Sequence, residues 1–233
     1  MRFLSGLLLT ATFVLPCLAT AATLELKRGQ VGEILEATVD TQLYRLTVDA
    51  TRGARILTLV DKRLGVDITR HDDTGLGGLF EDWPALSTSR YAVRVVEDSP
   101  ERIELACSVR NEDGIALTKT YTFTEGQPRF AVRYEITNGS QLPFTLWIRN
   151  FATPGGGEAT ETDRIFLRHQ GKLQELTFPD GYFPDPDNPW IALLDTAAQS
   201  GFFVRCDYDL LDRFYFWSGS RLVPTFEWIY KPV

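Results

Sequence analysis

Across most of its length the chain is a succession of short segments in which apolar and polar residues alternate, broken by turn signals at roughly eight- to twelve-residue spacing. A period of two puts successive side chains on opposite faces, as in a strand half-buried in a sheet. In 43–49 (LYRLTVD), Leu43, Arg45, Thr47 and Asp49 take one face and Tyr44, Leu46 and Val48 the other. Segment 54–60 (ARILTLV) repeats the pattern before a turn ending at Gly65. Segments 90–97 and 101–110 flank Asp98-Ser99-Pro100, and 116–124 and 129–137 flank the turn residues 125–128 (EGQP). Asn138-Gly139 turns the chain into 142–151 (LPFTLWIRNF), and further strands read at 164–168, 172–178, 190–195, 201–207, 213–217 and 224–230. No stretch keeps a helical period for three turns. A single Met beside 12% aromatic residues points to a core of aromatic and branched side chains, which favours strands. With no internal repeat and no linker, the pattern predicts one all-β domain over 22–233, a large antiparallel β-sandwich.

Composition narrows the function classes. Hydrophobic residues make up 44% of the chain and charged residues 24%, which argues against a disordered or low-complexity polymer. A formal charge of −7 argues against a broad nucleic-acid-binding surface. Two His and three Cys are too few for multi-His metal sites or zinc ribbons, and no motif calls for a metal or cofactor. At the N-terminus, Arg2, an apolar run from Leu7 to Leu18, and Ala19-Thr20-Ala21 read as a secretory signal cleaved after Ala21. The run is short for a membrane span, and Pro16 argues against lipid attachment at Cys17. The expected product is secreted or periplasmic, with no stable membrane insertion after cleavage. Cys107 and Cys206 remain, either to pair in an oxidising compartment or to stay as separate buried thiols.

Polar faces recur on the strands, as in Arg90/Arg94, Glu101/Glu104 and Arg129/Arg133/Glu135; they read either as solvated ion pairs or as a ligand-holding face. Two segments break the alternation. The first, 71–83 (HDDTGLGGLFEDW), brings His71, Glu81, Asp82 and Trp83 together with three glycines. Glycines permit tight turns and close approach to a ligand, Trp83 offers a flat face for a sugar ring, and carboxylates accept hydrogen bonds from hydroxyls. Equally, the segment could be a surface loop anchored by Phe80 and Trp83. It has neither a phosphate-loop ending nor EF-hand spacing. The second, 147–157 (WIRNFATPGGG), carries Trp147, Arg149 and Asn150, and alternation puts Trp147 and Arg149 on one face. An aromatic beside an Arg suits a sugar; an Arg satisfied by a neighbouring strand's acid is the alternative. Residues 179–190 (PDGYFPDPDNPW) read as a stiff Pro-rich loop bearing Tyr182, Phe183 and Trp190. No nucleophile-elbow pattern exists. Proton transfer would fall to His169 with Glu227, or to His71 with Glu81 or Asp82.

Segments 53–68 (GARILTLVDKRLGVDI) and 118–138 (TKTYTFTEGQPRFAVRYEITN), with 142–151 and 224–230, resemble the galactose mutarotase-like superfamily. The resemblance covers most of the chain and implies a β-supersandwich, usually with a carbohydrate site on its concave face. The superfamily includes aldose 1-epimerases, domains of glycoside hydrolases and polysaccharide lyases, periplasmic glucan-biosynthesis proteins and the periplasmic domain of the membrane insertase. In the epimerases a general-acid His follows the strand that here runs from Thr145 to Phe151, where this chain has Arg149-Asn150 and no His. By its place late in the chain, Glu227 is the nearest match to the family's basic Glu. Similar domains usually carry further strands beyond the position of Val233. The resemblance thus implies a saccharide or polysaccharide partner: an exported carbohydrate-binding domain, a sugar-active enzyme of epimerase or lyase type, or an envelope assembly domain without a sugar ligand.

Overall fold

The alternating segments fold as strands in a computed structural model that describes residues 21–72, 75–177, 179–218 and 224–233. Most of the expected leader, including Arg2 and Cys17, lies outside the described residues, as does Asp73. Among the described residues there is no helix, and the structure is all-β with antiparallel sheets, as the alternation predicts.

Four sheets arise in chain order. β1 (Thr23–Arg28), β2 (Ile34–Asp40), β3 (Tyr44–Asp49), β4 (Arg55–Asp61) and β5 (Val66–Asp67) form a meander. β6 (Glu81–Trp83) leaves it for another sheet. β7 (Ala92–Asp98), β8 (Arg102–Arg110), β9 (Ile115–Thr124) and β10 (Phe130–Asn138) form a second meander. The remaining strands are β11 (Trp147–Phe151), β12 (Asp163–His169), β13 (Lys172–Leu176), β14 (Gly181–Pro184), β15 (Trp190–Asp195), β16 (Ser200–Arg205), β17 (Leu211–Trp217) and β18 (Thr225–Tyr230). They complete a sheet of order β14-β17-β18-β11-β6 and one of order β13-β12-β15-β16.

Two local differences from the sequence pattern have physical causes. Residues 179–190 are not wholly loop, because β14 pairs with β17 from Gly181↔Phe216 to Pro184↔Arg213. The stretch before Trp147 does not join β11; Phe144 instead exchanges backbone hydrogen bonds with Val233, both at 3.0 Å. Several of the polar-face charges lie in exposed ion pairs, Arg90 with Glu33 and Arg133 with Glu135 at 2.8 Å each. Cys107 and Cys206 are separate free thiols, both pushed up to about 12 by burial.

The inward residues of all four sheets merge into one core that includes Leu46, Ile56, Leu105, Phe123, Leu167, Phe216 and Trp228. Two charged side chains, those of Lys119 and Asp82, lie fully inside it. In β9, Leu117, Lys119, Tyr121 and Phe123 share the inward face, so Lys119 is forced into the interior. Its Nζ lies 2.9 Å from Asp82 Oδ2 and donates to the carbonyls of Phe80 (2.6 Å) and Gly53 (2.8 Å). The rings of Tyr91, Tyr121 and Tyr134 surround it at 5.6–5.9 Å. Tyr91 Oη donates to Asp82 Oδ2 at 2.5 Å. This cluster ties β9 to β6 and to the turn before β4.

Removing one member of a buried pair leaves the other charge uncompensated, which typically costs about 3–5 kcal/mol, whereas apolar replacement of both partners is much milder. Lys119→Met should therefore lower the unfolding free energy by about 3–5 kcal/mol in urea titrations. Lys119→Met combined with Asp82→Leu should recover part of that loss, with Tyr91 Oη and the two carbonyls accounting for the rest.

Candidate functional site

The sheet β14-β17-β18-β11-β6 has two faces of different character. Register determines which side chains share them. Asp82, Ile148, Trp228, Phe214 and Phe183 are cross-strand neighbours on the core face. One residue further along, Glu81↔Arg149, Arg149↔Glu227, Glu227↔Tyr215 and Tyr215↔Tyr182 are successive partners on the opposite face. Five strands thus contribute one residue each to a single row, Glu81–Arg149–Glu227–Tyr215–Tyr182. Beside it, Trp83 and Trp147 face each other on β6 and β11.

Arg149 organises this row. Its Nε donates to Glu227 Oε1 at 2.8 Å, and its guanidinium carbon lies 3.6 Å from the centre of the Trp83 ring. A guanidinium stacked on indole and tied at Nε is held in one plane. Its side chain is 16% exposed and, among the described residues, its Nη groups donate no hydrogen bond. Glu227 and Glu81 are each 1% exposed, and one oxygen of each, Oε2, has no hydrogen-bond partner among the described residues. Beyond Glu81, the Arg55 guanidinium lies 3.8 Å from its Oε1, with Asp49 on its far side at 3.9 Å. Charges therefore alternate along the row, from Arg55 through Glu81 and Arg149 to Glu227.

Burial sets the proton affinities. Glu227 and Glu81 are raised above 4.5 by loss of solvent, with Arg149 opposing the rise in both and Arg55 also in Glu81. Tyr215 is raised by burial and then by the negative charges of Asp180 and Glu227. Glu227 is thus a carboxyl disposed to carry a proton nearer neutrality than an exposed Glu, with an oxygen still able to bond.

The residues singled out from the sequence divide in space. Trp83, Glu81, Trp147, Arg149 and Glu227 come together on this face. Asp82 and Asn150 lie on the other side of the same strands. Asp82 pairs with Lys119, while Asn150 Oδ1 accepts from the Phe80 N–H (2.9 Å) and its Nδ2 donates to the carbonyls of Ile148 and Phe226. His71 sits in the 71–79 loop with Nε2 2.6 Å from the Leu57 carbonyl, and burial holds its imidazole below its usual value. His169 ends β12, its Nε2 2.9 Å from the Pro184 carbonyl and its ring edge-on to Phe183, a residue of the core face. The structure therefore does not bring His169 to Glu227. Tyr215, Asp180 and Arg55 were not singled out; the signal for Tyr215 was its alternation with Arg213 and Trp217 in 213–217.

Two glycines of the 71–83 segment, Gly77 and Gly78, meet backbone. A Cβ on Gly77 would lie 2.2 Å from the Arg70 carbonyl oxygen, and one on Gly78 2.4 Å from that of Ile56. The loop they allow folds over Arg55, which donates to the carbonyls of Gly77 (2.7 Å) and Gly75 (2.6 Å). Phe80 then takes a left-handed φ of 59° and leads into β6. Among the described residues, no grouping of His, Cys, Asp and Glu suits a metal ion, and no helix is long and apolar enough to cross a membrane.

No protein-family model matches the sequence, and no curated protein matches it either. Solved structures do match. A galactose mutarotase-like protein from Clostridium acetobutylicum aligns with 90% of this chain and 88% of its own at 10% identity and a TM-score of 0.62. The chain has the galactose mutarotase-like fold. A protein proposed to be an aldose 1-epimerase from Klebsiella pneumoniae aligns with 90% of this chain and 73% of its own, at 13% identity and TM-score 0.62. A TPR-domain-containing protein from Parabacteroides distasonis gives 0.64 at 10% identity over 85% of this chain, which spans 42% of that protein's length.

A carboxyl raised by burial binds its proton more tightly in the folded than in the unfolded chain. Folding is then favoured below the ordinary value of 4.5 and loses stability as pH rises from there through the raised value. Glu227→Gln should flatten that fall, and Arg149→Met, which removes the opposing charge, should steepen it, as read from chemical denaturation between pH 4 and 8.

Proposed function

We propose that the row Glu81–Arg149–Glu227–Tyr215–Tyr182, with Trp83 and Trp147, is a saccharide-binding face. The observation that carries this is Arg149, fixed by Glu227 and Trp83 with its Nη donors free to meet a ligand. A sugar offers hydroxyls to alternating donors and acceptors and a C–H face to aromatic rings. The row supplies both on rigid strands, so little ordering is needed on binding. The fold supports the reading by analogy, since its solved neighbours include a galactose mutarotase-like protein and one proposed to be an aldose 1-epimerase. On the same reading the leader exports the chain, supported by Arg2, the apolar run and Ala19-Thr20-Ala21.

A glycan array followed by calorimetry on the best hit tests this directly. Arg149→Ala and Trp83→Ala should each weaken binding at least about tenfold, or about 1.4 kcal/mol. An array without hits refutes the proposal.

One observation favours a second reading, a sugar-active enzyme. Glu227 is a buried carboxyl with a raised proton affinity, a bonded oxygen and a free one, as a proton-transfer group requires. On that reading, polarimetry shows catalysed anomer exchange that Glu227→Gln abolishes while saccharide binding persists. Binding without exchange leaves recognition alone.

A further inference from the structure

Away from the row, β10 ends one sheet and β16 ends another, so among the described residues each pairs with a neighbouring strand on one side only. Between them opens a cavity of about 1220 Å³, larger than the roughly 300–1,000 Å³ of ordinary small-molecule pockets. Phe130, Val132 and Tyr134 of β10 and Phe202 and Val204 of β16 line it, over Trp228. The lining also runs without a break through residues 128–134 and 200–207. A wall formed by a sheet face would expose alternate residues only. An unbroken run means that the two backbone edges themselves border the cavity, with their outward N–H and C=O groups. An occupant must therefore supply backbone donors and acceptors together with apolar side chains, which is what an extended polypeptide does when it adds to a sheet edge.

Charge narrows the occupant. Five cations, Arg63, Arg129, Arg133, Arg205 and Lys231, and two acids, Asp61 and Asp207, line the opening. Arg129 and Arg205 are exposed and make no ion pair among the described residues. This basic rim stands on a chain of net charge −7. Symmetric docking of a second copy would set these cations against each other, whereas a segment with acidic flanks would neutralise them. We propose that the cleft between β10 and β16 binds an extended segment of another protein, apolar at alternate positions and flanked by Asp or Glu, as an added strand.

The probe is a fluorescein-labelled synthetic peptide, EVTITVE, titrated into the full chain and followed by fluorescence anisotropy. Saturable binding is expected, weakened at least about tenfold by the double variant Arg129→Glu, Arg205→Glu. Both side chains are exposed, and an unchanged melting temperature confirms that the variant is folded. The swapped peptide KVTITVK should show the reverse preference. An EVTITVE analogue N-methylated at alternate residues keeps its side chains but loses its backbone donors, and should not bind. Equal binding by that analogue overturns strand addition. Absence of saturable binding below about 1 mM overturns the proposal, as does tight binding of oleate in place of the peptide, which would make the cleft an amphiphile site.

Discussion

The ion pair between Lys119 and Asp82 is the constraint from which the rest of the arrangement follows. Both side chains are fully buried, so each depends on the other and on the polar atoms around them. Asp82 is the middle residue of the three-residue strand β6. Once it points inward, alternation leaves its neighbours Glu81 and Trp83 no choice but the opposite face. An interior electrostatic contact thereby decides which groups lie on the other face of the sheet. The same lysine also holds the Phe80 carbonyl while Asn150 holds the Phe80 N–H, so the left-handed residue that leads into β6 is tied at both ends. Around it Tyr121, Phe130 and Trp228 close ring against ring at 5.6–6.5 Å.

On that face, the chemistry rests on two acids and an arginine sharing one row. Neither His of the chain joins it. A histidine-based acid paired with a glutamate base is thus not what this geometry offers; what it offers is a glutamate of raised proton affinity beside a planar cation, with phenols at one end. The aromatic residues differ in role as well. Trp83 spends one face on the guanidinium, while Tyr182 is 53% exposed and open to solvent.

The strands themselves were legible because half-buried sheets write their period into the sequence, and Trp147 and Arg149 were placed on one face by that rule alone. Lys119 was not singled out, although it stands as a lone charge between Leu117 and Tyr121 on one face of 116–124. Asp82 was not separable from Glu81, because β6 is too short and too close to a glycine-rich loop for its phase to be read. The glycines of that loop suggested a ligand, and two of them, Gly77 and Gly78, serve close backbone packing. The row was hidden for a different reason. Its members come from β6, β11, β14, β17 and β18, and only register, which hydrogen bonding between distant segments determines, brings Glu81 beside Arg149 and Tyr215 beside Glu227.

That dependence on register has an evolutionary consequence. A substitution at any position of the row changes one group and leaves the others where they are, so the face can be retuned one side chain at a time. An insertion or deletion of a single residue within one of the five strands reverses the facing of every residue beyond it, sending a core aromatic outward and a charge into the interior. Descendants of such a chain are free to diversify the ligand they hold, while length changes are confined to the connections between strands.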